Sequence, residues 1–306
     1  QEQQQNFIKG GERGSKKIRS LKKILDRFDL RYNIVLSAPL NVLFQWNLQQ
    51  VLALEKWKKK YAADVNGWFV ALGKFETICS FATISFNNSG WVFPKISAMH
   101  FLIEGDNIGH PLITKSKRVD NDVMINKPGE IMLVTGSNMA GKSTYLRSVG
   151  INVVLAMAGS AVCASAFTIS TVQLLSSMRV SDNLEESTST FYAELKKLKL
   201  IIDKVNNNEK IFILLDEILR GTNSNDRHTG SVALIKQFIK NKASVIVATH
   251  DVALAALSYT YPDNILNFHF DAQIKDEELY FDYALKPGVS TSLNASLLMK
   301  KIGIEL

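Results

Sequence analysis

The sequence predicts an α/β chain: a P-loop nucleotide-binding domain on a mainly parallel central sheet, preceded by a small helical segment. Three observations carry this. A glycine-bearing loop, Gly136-Ser137-Asn138-Met139-Ala140-Gly141-Lys142-Ser143, stands between a short apolar run at 131–134 and an apolar helical pattern. A second apolar run, 211–215, ends on Asp216-Glu217, and a third, 244–248, leads into Thr249-His250. Continuous apolar runs bounded by polar residues mark parallel strands buried on both faces. Helical patterns separate the runs, which is the alternation of an α/β layer structure.

Taken in order, residues 1–15 are polar and glycine-containing, the composition of a disordered segment or linker. Residues 16–28 form a basic amphipathic stretch, with Ile18, Leu21, Ile24, Leu25 and Phe28 on one helical face. Lys16, Lys17, Arg19, Lys22, Lys23 and Arg27 then read as a solvated face, with a phosphate-contacting face as the alternative. From 39 to 86 the pattern is helical and rich in large apolar residues. Trp57-Lys58-Lys59-Lys60 closes a first helix, Gly67 breaks the run, and 68–86 resumes it, so an antiparallel helical pair is expected. Trp46, Trp57 and Trp68 read as core. Asn87-Asn88-Ser89-Gly90 is a turn.

Residues 91–96, 99–103 and 119–125 read as strands, with a loop at 105–111 between the last two. The P-loop segment follows. Its strand–loop–helix context is what G-x-x-x-x-G-K-[ST] requires. Glycines let the backbone wrap a phosphate, and loop N–H groups at a helix start favour an anion. The ATP-binding set is therefore Gly136, Ser137, Asn138, Met139, Ala140, Gly141, Lys142, Ser143 and Thr144. Lys142 is expected to reach the β- and γ-phosphates, and Ser143 to hold Mg²⁺.

Short apolar runs at 166–169 and 172–178 come next, then a polar stretch, 181–190, that leads into a helix at 191–205. Ser189 or Thr190 fits as its cap, with Glu194 near its first turns. The strand at 211–215 places Asp216 at its end as a second Mg²⁺ ligand and Glu217 as general base for an attacking water. After a helix at 226–240, the strand at 244–248 puts His250 where it can bond the γ-phosphate or that water. A short helix (252–257), two late strands (265–270 and 279–285), a Pro287-Gly288 turn and a last helix (293–302) complete the chain.

The bulk numbers fit this reading without deciding it. The chain has 306 residues, room for two units. Its net charge of +7 and pI near 9.2 are compatible with a polyanion partner but common among other proteins. Cys79 and Cys163 make no disulfide framework, and a reduced pair fits a cytoplasmic location. The start, QEQQQNF, carries no initiator Met and no signal-peptide pattern, and reads as the start of a fragment. The weakly polar run at 153–167 is shorter than the roughly 20 residues of a membrane span.

TGSNMAGKSTYLRSVG, SDNLEESTSTFYAEL, LLDEILRGTNSNDRHTG and VIVATHD, in this order and spacing, resemble the ATPase domain of the MutS family of DNA mismatch-repair proteins. The resemblance covers about 93–304. It implies the ABC class of P-loop ATPases, with ATP and Mg²⁺ as cofactors and hydrolysis to ADP and phosphate. It divides the chain into a linker (1–15), a helical core or lever segment (16–90) and the ATPase domain (91–306), whose end forms a helix-turn-helix dimerisation segment. It implies a homodimer, or a dimer with a related chain, in which Ser189 and Thr190 reach the γ-phosphate held by the partner and Gly221-Thr222 line the interface. It implies DNA binding, mainly through regions outside this chain. His269 falls where the family packs a histidine on adenine, and Val119 falls near an aromatic that usually covers the other face.

The departures are specific. Ser137 and Ala140 replace a proline and a glycine common in the family loop. Ser187 and Thr188 stand where a Gly-Arg pair is usual, which removes a cation near the partner's phosphates. No mismatch-reading segment is visible in these residues. Two other readings therefore stay open: an SMC-like or other ABC-class module, whose LSGGQ-type signature is missing here, and a nucleotide-switched scaffold without a DNA substrate.

Overall fold

The computed structural model describes residues 13–99, 101–137, 139–178, 190–275 and 278–289. Asn138, Ser187, Thr188, Ser189 and the expected helix at 293–302 lie outside the described residues. The chain divides into two compact units, Gln1–Thr83 and Ile84–Leu306.

The first unit is helical. Helix α1 spans Gly14–Phe28, so it begins inside the stretch expected to be a linker. A 3₁₀ turn, Asp29–Tyr32, leads to α2, Ile34–Phe44, which is capped by the Asn33 side chain accepting from Leu36 N. Helix α3 begins at Trp46 and runs unbroken to Asn87, 42 residues. This corrects the expected helical pair. The turn comes at Gln45, in left-handed conformation with φ 47°, and not at Gly67. An interior glycine costs a helix only about 1 kcal/mol relative to Ala, and no proline follows to force a break.

Lys17 is a second correction. It is 3% exposed, not solvated. Its Nζ pairs with Asp64 Oδ2 at 2.8 Å and lies over the Tyr61 ring, while Trp57 Nε1 donates to its carbonyl. The face of α1 toward α3 is thus built from a lysine stem and aromatic rings, and Ile18 and Leu25 remain exposed. Trp68 is buried as expected, whereas Trp57 and Trp46 are half-buried and donate to backbone carbonyls. By length and composition alone α3 is also long and apolar enough to cross a membrane. Lys74 and Glu76 interrupt its apolar half, and each is costly in lipid. The exposed Phe69, Val70, Phe75 and Ile78 equally suit a helix that packs on protein.

The second unit is a mixed α/β structure with two sheets. The strands are β1 Lys95–Ser97, β2 Ile103–Ile108, β3 Asn121–Ile125, β4 Ile131–Gly136, β5 Ala166–Ser170, β6 Gln173–Ser177, β7 Ile211–Asp216, β8 Ser244–Ala248, β9 Ile265–Lys275 and β10 Glu278–Pro287. The larger sheet has the order β10-β9-β4-β8-β7-β6. Every pair is parallel except β10 with β9 at the edge. The smaller sheet has the order β1-β5-β2-β3. Helix α4, Lys142–Ala158, packs on one face of the larger sheet; α5, Thr190–Asn206, and α6, Ser224–Lys240, pack on the other. A 3₁₀ turn, Val252–Ala256, and α7, Leu257–Thr260, stand between β8 and β9.

The strands β4, β7 and β8 are buried along their whole length because both faces are covered. Met132, Val134, Phe212, Leu214, Ile246 and Phe270 face α4 and the smaller sheet. Their neighbours Ile131, Leu133, Ile211, Ile213, Val245 and Val247 face α5 and α6. Strand alternation thus divides one apolar run between two cores.

The entry sheet differs from its expected strands. In the first run a regular strand forms only at Lys95–Ser97, with an isolated antiparallel bridge between Val92 and Val162, and residues 105–108 are strand, not loop. The β2–β3 register shifts between Gly105 and Ile108, and Asn107 takes φ 50°. This bulge lets both Ile103 and Ile108 point into the core, which strict alternation forbids.

Asn152 ties α4 to the segments that adjoin the smaller sheet. Fully buried, it donates to Gly109 O at 2.9 Å and accepts from Cys163 N at 2.7 Å. Asn152→Leu keeps the branching and heavy-atom count but strands both backbone groups. The expected loss is roughly 3 kcal/mol, measured as a lower urea midpoint with unchanged slope; a loss under about 1 kcal/mol contradicts the bridging role.

Candidate functional site

Three parallel strands end side by side, and the site is built on their carboxyl ends. β4 ends in the glycine loop, β7 in Asp216-Glu217 and β8 in Ala248, followed by Thr249-His250. The order β4-β8-β7 places His250 between the other two. Gly136 has φ 145°, and a Cβ there would lie 2.7 Å from Phe270 O, so only glycine lets the loop leave β4 beside β9. Met139 takes φ 68° and is exposed, Ala140 is fully buried, and Gly141 at φ 111° starts α4. Ser143 and Thr144 follow in the first turn.

A cleft of about 690 Å³ opens over this loop. Met139, Gly141, Lys142, Ser143 and Thr144 line it on one side, and Asp216, Glu217 and Arg220 on another. Lys142 is 4% exposed, with Nζ donating to Gly136 O and Ser137 O, each at 2.8 Å. Burial pulls its pKa down to about 8; Asp216 opposes the shift and Arg220 adds to it. An anion entering the loop would replace the two carbonyls as partner of a charge already short of solvent. Asp216 is 9% exposed, and its Oδ1 is buried with no hydrogen-bond partner. An orphaned carboxylate oxygen in the cleft lined by Ser143 fits an oxygen-seeking cation such as Mg²⁺.

Glu217 is held in place from three sides. Its N donates to Ala248 O at 2.8 Å, Oε1 lies 3.0 Å from His250 Nδ1, and Oε2 pairs with Arg220. It takes φ 52° and Leu219 φ 60°, sparsely populated values for side-chain-bearing residues that gather at functional turns. The pKa of His250 is lowered, first by burial and then by Lys142, Arg220 and Arg227. The imidazole is therefore neutral at pH 7. Nδ1 faces Glu217 Oε1, and Nε2 is the other ring nitrogen able to bond.

The other sequence-predicted residues divide. Val119 lines the cleft as an aliphatic residue. His269 does not line it, which corrects its expected place on adenine. It alternates with the core-facing Phe268 and Phe270 along β9 and so faces the opposite side of the sheet from α4. There Nε2 lies 3.3 Å from Asp271 Oδ1. Thr190 is the first residue of α5. Gly221 packs tightly under this helix start: a Cβ there would lie 2.4 Å from Phe191 Cβ.

Two residues that sequence reasoning missed, Tyr283 and Asn121, complete the site, and Glu194 braces it. Tyr283 lines the cleft from a bulge in β10, with φ 54° and its ring stacked on Phe281. Asn121 on β3 fixes that bulge: Nδ2 donates to Tyr283 O at 3.0 Å, and Oδ1 accepts from Leu285 N at 2.7 Å. Glu194 lies in the first turns of its own helix as expected, and there accepts from Leu219 N at 2.5 Å and so ties α5 to the turn after Glu217. The only sequence signal was the aromatic run around Tyr283; the two polar clamps join residues far apart in the chain.

Comparison with known proteins gives one family. The model of MutS domain V matches residues 132–299. "DNA mismatch repair protein MutS" of Methanococcoides burtonii is 33% identical over 240 residues, 75% of this chain and 26% of that protein. "MutS protein homolog 4" of Homo sapiens is 32% identical over 199 residues, 61% of this chain and 21% of that protein. "DNA mismatch repair protein MSH4" of Arabidopsis thaliana is 33% identical over 196 residues, 63% of this chain and 24% of that protein. The chain thus spans about a quarter of the length of the curated relatives it matches.

Proposed function

Because the chain belongs to the MutS family, we propose that its second unit is an ABC-class P-loop ATPase that hydrolyses ATP to ADP and phosphate with Mg²⁺. The cleft over the P-loop, with the orphaned Asp216 oxygen beside Lys142 and Ser143, is the observation that carries this reading. The loop residues Gly136 to Thr144 cradle the phosphates. Ser143 and Asp216 would hold Mg²⁺, which when bound neutralises phosphate charge. Glu217 takes a proton from the attacking water, and His250 orients the carboxylate through Nδ1 while offering Nε2 toward water or γ-phosphate.

Tyr283 and Val119 face the base end of the cleft, and Tyr283 takes the stacking role expected of His269. Tyr283→Ala should weaken ATP binding about tenfold or more, the scale of one stacked base. Inorganic tripolyphosphate should bind as before. Equal losses for both ligands would show that Tyr283 does not touch the base.

The domain reading follows: linker over 1–15, helical core or lever over 16–90, ATPase with a dimerisation segment over 91–306. The site is completed in trans by Ser189 and Thr190 of a second copy or a related chain. ATP turnover there drives DNA binding, through regions outside this chain, in mismatch repair or a related repair process in the cytoplasm. Mixing two inactive variants tests trans completion. Lys142→Ala and Ser189→Ala should each hydrolyse poorly alone. Their mixture should recover activity, because one interface of the mixed dimer keeps both intact halves. No recovery at any ratio argues against a shared site.

A further inference from the structure

A second cavity, about 390 Å³, lies against the nucleotide cleft. Among the residues lining the two, Glu217 and Arg220 alone are common to both. Their ion pair is the partition. Beyond it the lining includes Arg227, Ser224 and Ser231 from α6, Thr249 from the end of β8, and His250, which lines this cavity and not the nucleotide cleft. The acid on this side, Asp251, is already engaged: Oδ2 lies 2.7 Å from His228 Nδ1, and Oδ1 accepts from Ala253 N at 3.1 Å. The charge of Arg227 reaches the catalytic end, since it contributes to the lowered pKa of His250.

Hydrolysis of the γ-phosphoryl bond by water yields ADP, hydrogen phosphate and a proton. ADP held by the P-loop and the base end of the cleft blocks the way that ATP entered. The phosphate is left at the inner end, beside the Glu217 carboxylate that repels it. A dianion in that position needs a cationic route that does not pass the ADP.

We propose that the second cavity is the exit route and transient holding site for the phosphate product. Arg220 leaves Glu217 to accompany the phosphate through the partition, and Arg227 receives it. This rests on the ATPase reading above. No bond is made or broken along the route; the Arg220 ion pair is exchanged from carboxylate to phosphate.

The test compares ATP cleavage by rapid chemical quench with phosphate appearance on a fluorescent phosphate sensor, using the full chain. In Arg227→Ala, phosphate release should fall about tenfold or more relative to the cleavage rate measured on the same variant, the scale of one charge-assisted hydrogen bond. Arg227→Lys should lie between. Ser224→Trp, an exposed substitution at the cavity rim, should delay release in the same way without touching the cationic lining. Release that keeps pace with cleavage in Arg227→Ala and Ser224→Trp overturns the exit route while leaving the ATPase standing. Absence of cleavage in the unaltered protein overturns both.

Discussion

Replacing Glu217 by Ala leaves ATP bound and lowers its hydrolysis by roughly 10²–10⁴-fold, the range of a lost general base. The phosphate-holding groups Lys142 and Ser143 and the Mg²⁺ ligand Asp216 are untouched by the change. Arg220 loses its carboxylate partner and becomes available to the nucleotide, so affinity holds or rises. Backbone strain does not confound the result: at φ 52° Ala is no better tolerated than Glu, so the turn keeps its conformation. Glu217→Gln keeps the contact with His250 but cannot take a proton, and should be nearly as slow. Single-turnover hydrolysis set against nucleotide affinity separates the two effects. Hydrolysis within about tenfold of the unaltered rate would assign the base elsewhere.

Lys142→Ala has the opposite signature. Nucleotide affinity itself falls, by roughly 10²-fold or more, since two charge-assisted bonds to phosphate are lost at about 1.5–3 kcal/mol each. Unchanged affinity would remove the P-loop assignment altogether. The lowered pKa adds a second readout. With its pKa near 8, Lys142 is mostly charged at pH 7 and mostly neutral at pH 9 in the free protein. Bound phosphate favours the charged form. ATP binding above pH 8 should therefore take up about one proton, and affinity should fall as pH rises through that value. The unfolded chain holds the same proton up to its usual 10.5, so folding sheds it between about 8 and 10.5 and stability of the free protein rises over that window. Calorimetry in buffers of different ionisation enthalpy reads the uptake, and Lys142→Ala should abolish it.

What the sequence made legible was local and fully buried. The runs at 131–134, 211–215 and 244–248 are strands because each is apolar on both faces, and the residues at their ends sit where such runs deliver them. The larger sheet is mainly parallel as expected. Illegible features depend on partners far along the chain. Tyr283 enters the cleft because β10 bulges between Phe281 and Leu285, and the bulge is held by Asn121, 162 positions away. Its strand period alone would not place it. Lys17 reads as solvated until Asp64 and Tyr61 are seen across from it. Gly67 reads as a break because propensity is judged residue by residue, whereas a 42-residue helix absorbs one weak position. His269 was assigned by resemblance; its strand register turns it to the other face.

The most direct test of the central claim is the ATPase rate per chain against protein concentration, with and without duplex, mismatched and branched DNA. A MutS-type site completed by a second chain predicts a rate per chain that climbs with concentration and responds to DNA. A flat rate, indifferent to every DNA, would contradict it and favour a nucleotide-switched scaffold that works within a single chain.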